Sequence, residues 1–214
     1  MDSILIESQY FPSVAYFTAI YHAKKVVIES HEWFEKRSYR NRCTILAANG
    51  TLDLTVPVHG ANKGHLTNCL KIDIHEKWAN NHWRAIQSAY GKSPFFDFYS
   101  DNFKDVLQSN EHNLFNLNQK LLSICLRCLQ IDTKIEMSSD YIKSPEKPIV
   151  DLRSVIHPRK PISSLNWFNP QPYQQIFGSN FVSNVSILDL LFCSGPEALM
   201  VLKQSIVNVR EQII

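Results

Sequence analysis

The sequence predicts an α/β domain: a mixed sheet with an opening β-α-β unit and an antiparallel Asn-Gly hairpin, helices packed on the sheet, and a helical C-terminus. Three observations predict it. The short apolar runs Ile4-Leu5-Ile6 and Val26-Val27-Ile28 bracket a stretch with apolar residues at helical spacing, the arrangement that ordinarily gives parallel pairing. Asn49-Gly50 separates two strand-like segments, 42–48 and 51–56, which is the strongest short-range hairpin signal a chain can carry. From residue 76 onward, apolar and aromatic positions return every three or four residues. With 214 residues and 44% hydrophobic content, the chain suffices for one core, so residues 1–214 are read as a single domain.

Taken in order, Ile4-Leu5-Ile6 is a buried strand and Tyr10-Phe11-Pro12 a turn, with Pro12 in the first turn of a helix where its missing N–H costs nothing. Val14, Phe17, Ile20 and Tyr21 form the inner stripe of that helix, and Lys25–Glu29 is the second strand. After the hairpin, the polar stretch 59–68 reads as a surface loop, and Cys69–Ile74 as a third strand. Trp78, Trp83, Ile86 and Tyr90 mark a helix over 76–90 that Gly91 caps, and Leu114–Ile131 is a longer amphipathic helix. The Ser-, Pro- and charge-rich segment 138–172 has little periodicity and is expected to be an irregular connection. Helices return at about 186–193 and, with Pro196 near the start, at 196–208.

The charge balance excludes several classes. Twenty-two Lys+Arg against 20 Asp+Glu give a net charge of +2, too little for a protein that grips nucleic acid by bulk charge. The six glycines form neither GxGxxG nor GxxxxGK[ST], so no Gly-rich phosphate cradle is encoded. No apolar run reaches the roughly 18–20 residues of a membrane span. The first residues lack a signal-peptide pattern and the five cysteines are odd in number and scattered, so a cytoplasmic location with reduced thiols is expected. Cys125 and Cys128 form a CxxC within an apolar helical stretch, which favours buried thiols over a metal or redox site; the eight histidines make no HxxxH or HxH pair, and neither metal nor cofactor is expected.

Three constellations are candidates for chemistry, each with a plainer alternative. His82 shares a helical face with Trp78 and Ile86, the setting of a hydrogen-bonded boundary residue; Tyr90, Lys92 and Asp97 follow closely enough to make one rim of a cleft with it. The stretch Lys36-Arg37-Ser38-Tyr39-Arg40-Asn41-Arg42 carries four cations in seven residues, a planar-fork donor set for phosphates with Tyr39 and Asn41 to stack on or hydrogen-bond a base or sugar; the alternative is a solvated loop paired with carboxylates. Asp151 could orient His157 for general-base work, or both could be wet loop residues. No GxSxG is present, and no cysteine sits in a nucleophile's setting.

These residues also carry a resemblance. Tyr10-Phe11-Pro12 and Tyr16-Phe17, Lys36 with Arg40-Asn41-Arg42 ahead of the hairpin, Leu54-Thr55-Val56-Pro57-Val58 after it, Trp78 with His82 and Tyr90, and Ser186-Ile187-Leu188-Asp189-Leu190-Leu191 with Gly195 follow one another in an order that resembles the WbqC-like proteins of bacterial surface-polysaccharide gene clusters. Glu7-Ser8 stands where that family has Gln-Pro, and Ala15 where it has Gly. The resemblance implies a role in O-antigen-type glycan precursor synthesis: modification of a nucleotide-linked amino sugar by an acyl or aminoacyl donor. Under that expectation Lys36, Arg37, Arg40 and Arg42 would meet the diphosphate, Tyr39, Asn41 and Tyr90 the base or sugar, and His82, His157 or Asp97 the proton. The competing expectations are a non-catalytic nucleotide-sugar-binding protein and a docking protein for a glycan assembly enzyme.

Overall fold

The computed structural model describes residues 2–61, 64–75 and 77–207. Strand β1 (Ser3–Glu7) pairs in parallel with β2 (Lys25–Glu29), with Ile4 opposite Val26 and Glu7 opposite Glu29. Helix α1 (Val14–Tyr21) makes the crossover, so the opening is the β-α-β unit that the sequence predicts. Both runs are apolar because the strands are covered on both faces: Ile4, Leu5, Ile6, Val26 and Ile28 are fully buried. Two short strands complete the sheet in the order β5-β2-β1-β6: β5 (Lys134–Met137) beside β2 and β6 (Ile149–Asp151) beside β1, all parallel. Every strand of this sheet therefore ends at the same edge, and two of them end on glutamate.

The hairpin is antiparallel, β3 (Arg42–Ala47) against β4 (Gly50–Thr55), with Thr44 opposite Asp53. Gly50 takes φ +105°, a conformation that suits a residue without Cβ, and the turn falls on Ala48 and Asn49. Cys43, Ile45 and Leu54 face the core, and Thr44 and Asp53 point away, joined by a 2.7 Å hydrogen bond.

Helix α2 (Trp78–Tyr90) packs on the hairpin, and α3 (Phe96–Leu107) packs between α2 and α4 (Leu114–Cys128). Their buried positions keep helical spacing: Trp78, His82, Ile86 and Ala89 on α2; Phe96, Tyr99, Phe103 and Leu107 on α3. The Asn113 side chain caps α4 by accepting the Asn116 N–H at 3.0 Å. Helix α5 (Ile187–Ser194), capped by Ser186, runs to Gly195; a short 3-10 turn and α6 (Ala198–Gln204) follow. Residues 208–214 lie outside the described residues, and with them the predicted end of the last helix. Ser186 ties three parts together: its N–H donates to the Thr44 carbonyl at 2.7 Å and its hydroxyl to the Phe11 carbonyl at 3.0 Å, holding Phe11 at φ +39°.

Three expectations are corrected. Residues 69–74 form no strand: Lys71 and Ile72 make only single bridges, to Asn113 and Val58, after a 3-10 turn at Thr67–Cys69. The segment 138–172 is not wholly irregular, because it supplies β6. Helix α3 occupies a stretch for which no helix is predicted.

Candidate functional site

In open parallel sheets the carboxyl ends of the strands are where loops converge and ligands bind. Here that edge is crowded with charge. Glu7 and Glu29, side by side in register, are 1% and 0% exposed, and each is bonded at both oxygens. Glu7 accepts from the Gln9 amide at 2.7 Å and the Ser154 N–H at 2.9 Å. Glu29 accepts from the His31 N–H, the Ser138 hydroxyl, the Ile142 N–H and, at 3.3 Å, Arg153. Arg153 is in turn clasped by Asp151, its Nη2 2.6 Å from Oδ2. A buried carboxylate survives only when it is bonded and paired, and these two organise the loops after β1, β2, β5 and β6.

Arg40 lies beside them, 2% exposed. Its Nε and Nη2 donate to Glu32 at 2.6 and 2.7 Å, a two-point clasp; Nη1 donates to Glu35 at 3.1 Å and Nη2 also to the Ser154 hydroxyl at 3.1 Å. Burial pushes the Glu32 carboxyl above its ordinary range against the pull of Arg40, while the surrounding glutamates hold the guanidinium charged. Glu35 differs from the others: its side chain is 45% exposed. Its Oε2 accepts the Ser154 hydroxyl at 2.8 Å. Burial opposes ionisation, but Ser154, Arg40, His157 and Lys160 outweigh it and hold the Glu35 carboxyl below the usual range.

His157 completes this group. Its side chain is 7% exposed; Nδ1 accepts the Arg159 N–H at 3.1 Å, and Nε2 lies 3.5 Å from Glu35 Oε1 without a hydrogen-bond partner. Accepting at Nδ1 places the proton of the neutral ring on Nε2, aimed at Glu35. Burial, with Arg40, Lys160 and Arg159, keeps the imidazole below its ordinary pKa against the pull of Glu35. His157 also lines a cleft of about 410 Å³. Tyr39, Thr44 and Asp53 of the hairpin side form one wall, His157, Lys160 and Ser164 another, and Asn184 belongs to a third. Five carboxylates, Glu7, Glu29, Glu32, Glu35 and Asp151, stand at this edge with three guanidiniums, Arg40, Arg153 and Arg159, and the Lys160 ammonium.

Of the residues singled out from the sequence, Tyr39, Arg40 and His157 meet here. Arg42 stands at the rim, Nη1 3.9 Å from Asp53, and Lys36 and Arg37 are exposed in the turn before it. Asn41 serves the hairpin, donating from its side chain to the Val56 carbonyl at 2.8 Å. His82, Tyr90 and Asp97 are not brought to the cleft. His82 is 6% exposed between Trp78 and Tyr10, with the Tyr10 hydroxyl 2.8 Å from Nδ1; burial pulls its pKa down to about 4 against a hydrogen bond to the Thr55 backbone. The Tyr90 hydroxyl accepts the Leu46 N–H at 3.1 Å inside the core, and Asp97 is exposed on the first turn of α3. Cys125 is buried on α4, and among the described residues no group of three or more His, Cys, Asp or Glu is placed to hold a metal ion. No helix among the described residues is long and apolar enough to cross a membrane.

Sequence reasoning gave no site role to Glu7, Glu29, Glu32, Glu35 and Ser154, while Lys160 stands among the cations beside His157 that it did note. The available signal was an acid closing each of two apolar strand runs, Ile4-Leu5-Ile6-Glu7 and Val26-Val27-Ile28-Glu29, since a charge at the end of a buried parallel strand needs partners.

The model of the WbqC-like protein family matches residues 7–164 and 157–201. A protein of Mycobacterium tuberculosis (strain ATCC 25618 / H37Rv), described as uncharacterized protein Rv1507c, is 29% identical over 218 residues, covering 91% of this chain and 94% of its own. No solved structure matches the chain.

Proposed function

The chain belongs to the WbqC-like protein family, and from that premise we propose that it is a cytoplasmic enzyme of bacterial O-antigen-type glycan precursor synthesis that transfers an acyl or aminoacyl group to the amine of a nucleotide-linked sugar. The observation that carries this reading is the cleft that His157 lines: it is large enough for a sugar or nucleoside, offers the Tyr39 ring and the hydroxyl and carboxylate groups of Thr44, Asp53 and Ser164, and its His157 lies 3.5 Å from the half-exposed Glu35 carboxylate. Lys160, with Arg42 at the rim, suits the diphosphate. Arg40 does not, because its guanidinium is buried and committed to Glu32, Glu35 and Ser154.

An amine attacking an acyl carbon must shed a proton as the new C–N bond forms. His157 is poorly set to take it, since its Nδ1 lone pair is engaged by the Arg159 N–H. His82 is sealed in the core by Tyr10 and Trp78. Glu35, ionised and half exposed, is the group that receives the proton, and the same carboxylate attracts the sugar's ammonium on arrival.

A thermal-shift screen against UDP-, dTDP-, GDP- and CMP-linked amino sugars tests the reading. A ligand at a hundred times its Kd adds about 2.7 kcal/mol, a rise of roughly 5–11 °C for a chain of this size. The expected result is a rise for one nucleotide class that Tyr39→Ala and Lys160→Met abolish. No rise across the panel overturns the reading.

A further inference from the structure

Ser154, within the charged cluster, has a left-handed backbone. Its φ is +54°, a conformation ordinarily left to glycine, asparagine or aspartate, and three contacts on three sides hold it there. Its N–H donates to Glu7 at 2.9 Å, its carbonyl accepts from Lys160 Nζ at 2.8 Å, and its hydroxyl sits between Glu35 and Arg40. The hydroxyl donates to the Glu35 carboxylate at 2.8 Å while accepting from Arg40 Nη2 at 3.1 Å, so a base is in place for its proton and a cation for the charge that then develops on oxygen. Next to this pair is the buried His157 Nε2–H, a donor with no partner. A donor left unsatisfied is costly, and this one, 3.5 Å from the Glu35 carboxylate that holds the Ser154 hydroxyl, is free to bond an oxyanion formed there.

We propose that Ser154 is a nucleophile and that acyl transfer proceeds through an ester on its hydroxyl, with Glu35 as its base and His157 Nε2–H as the donor to the oxyanion. The proposal deepens the acyl-transfer reading above and rests on it for the identity of the acceptor. With an acyl thioester as donor, Ser154 Oγ attacks the thioester carbon and its proton passes to Glu35. The C–S bond then breaks, and the departing thiolate takes the proton from Glu35. In the second half the sugar amine attacks the ester carbon and gives its proton to Glu35. The C–Oγ bond breaks and Ser154 recovers the proton. No oxidant or reductant enters.

The test uses the full chain and no sugar. Intact-mass analysis and peptide mapping follow incubation with a fluorophosphonate, and p-nitrophenyl acetate is used to look for a burst. The expected result is one adduct per chain on Ser154 and a burst of about one equivalent, with labelling slowed at least tenfold in Glu35→Gln and His157→Phe. Ser154→Ala removes the adduct. Ser154→Gly serves as the folding control, because glycine fits φ +54°: it should melt no lower than Ser154→Ala and remain unlabelled. Absence of an adduct on Ser154 with both probes, or labelling that persists in Ser154→Gly, overturns the proposal. Because the readout is independent of nucleotide sugars, labelling without a thermal shift would leave Ser154 standing and remove the sugar acceptor. A shift without labelling would do the reverse.

Discussion

Arg40→Met isolates what the buried clasp contributes. The substitution keeps much of the buried stem and removes a guanidinium that makes two short bonds to Glu32 and further bonds to Glu35 and Ser154. Glu32, 6% exposed, would be left as a buried carboxylate whose nearest charges, Glu7 and Glu29, repel it. Stripping one partner from a buried ion pair costs about 3–5 kcal/mol, which for a domain of this size is a fall in Tm of roughly 6–20 °C. The cost has a pH signature. Burial already lifts the folded-state pKa of Glu32 above its unfolded value, and loss of Arg40 lifts it further. The folded variant therefore binds more protons than the unfolded chain, so its stability falls as pH rises through the window above about 4.5. Urea denaturation at pH 8 and pH 5 should show a wild-type advantage that is widest at pH 8. The double variant Glu32→Gln/Arg40→Met should be more stable than Arg40→Met alone, because it removes the orphaned charge. A loss below about 1 kcal/mol, equal losses at both pH values, or a double variant no better than the single would refute this account of the edge.

Other positions give independent checks. The His82 pKa is held near 4 in the folded protein against 6.5 when unfolded, so its contribution is complete above about 6.5 and is lost as pH falls through 4, amounting to roughly 3 kcal/mol; an NMR titration should find this ring still neutral at pH 5, and a midpoint near 6.5 would contradict its placement in the core. Gly195 has φ +51°, and a Cβ there would lie 2.5 Å from the Phe95 ring, so Gly195→Ala should cost about 2–4 kcal/mol and lower Tm by roughly 5–15 °C in a calorimetric scan, a negligible change being the refuting result.

Local patterns that need no distant partner were legible in the sequence. Strands β1 and β2 declare themselves by uninterrupted β-branched and leucine runs, the hairpin by Asn49-Gly50, and α2 and α4 by apolar residues at helical spacing. What could not be read depends on who stands beside whom. Strand β6 has three residues and exists because β1 offers it a parallel edge; nothing in Ile149-Val150-Asp151 alone distinguishes it from the loop around it. Residues 69–74 show the converse, an alternating apolar pattern with Leu70 and Ile72 buried but no strand long enough to accept it as a neighbour. Helix α3 was hidden by Phe95-Phe96-Asp97-Phe98-Tyr99, an aromatic cluster as compatible with a strand as with a helix. In the site, Tyr39, Arg40 and His157 could be nominated by chemical type, but their company could not. Glu7 and Ser154 lie 147 residues apart, and Ser154 and Glu35 lie 119 apart.

The four glutamates at the sheet edge divide by exposure, and the division assigns their roles. Glu29 and Glu7, at 0% and 1%, spend all their oxygens on backbone and side-chain donors from the surrounding loops; Glu32, at 6%, spends both on Arg40. A carboxylate so committed cannot give up its partners to a substrate without destabilising the loops it organises, so it is a fixture of the fold. Glu35 has the same neighbours but opens to solvent, and its bonds come from Arg40 and Ser154, groups that the inner glutamates have already fixed in place. Glu7, through Ser154, and Glu32, through Arg40, thereby set the position and charge of the fourth. The proposed chemistry therefore falls where that fixed charge meets water, beside Ser154, His157 and the cleft.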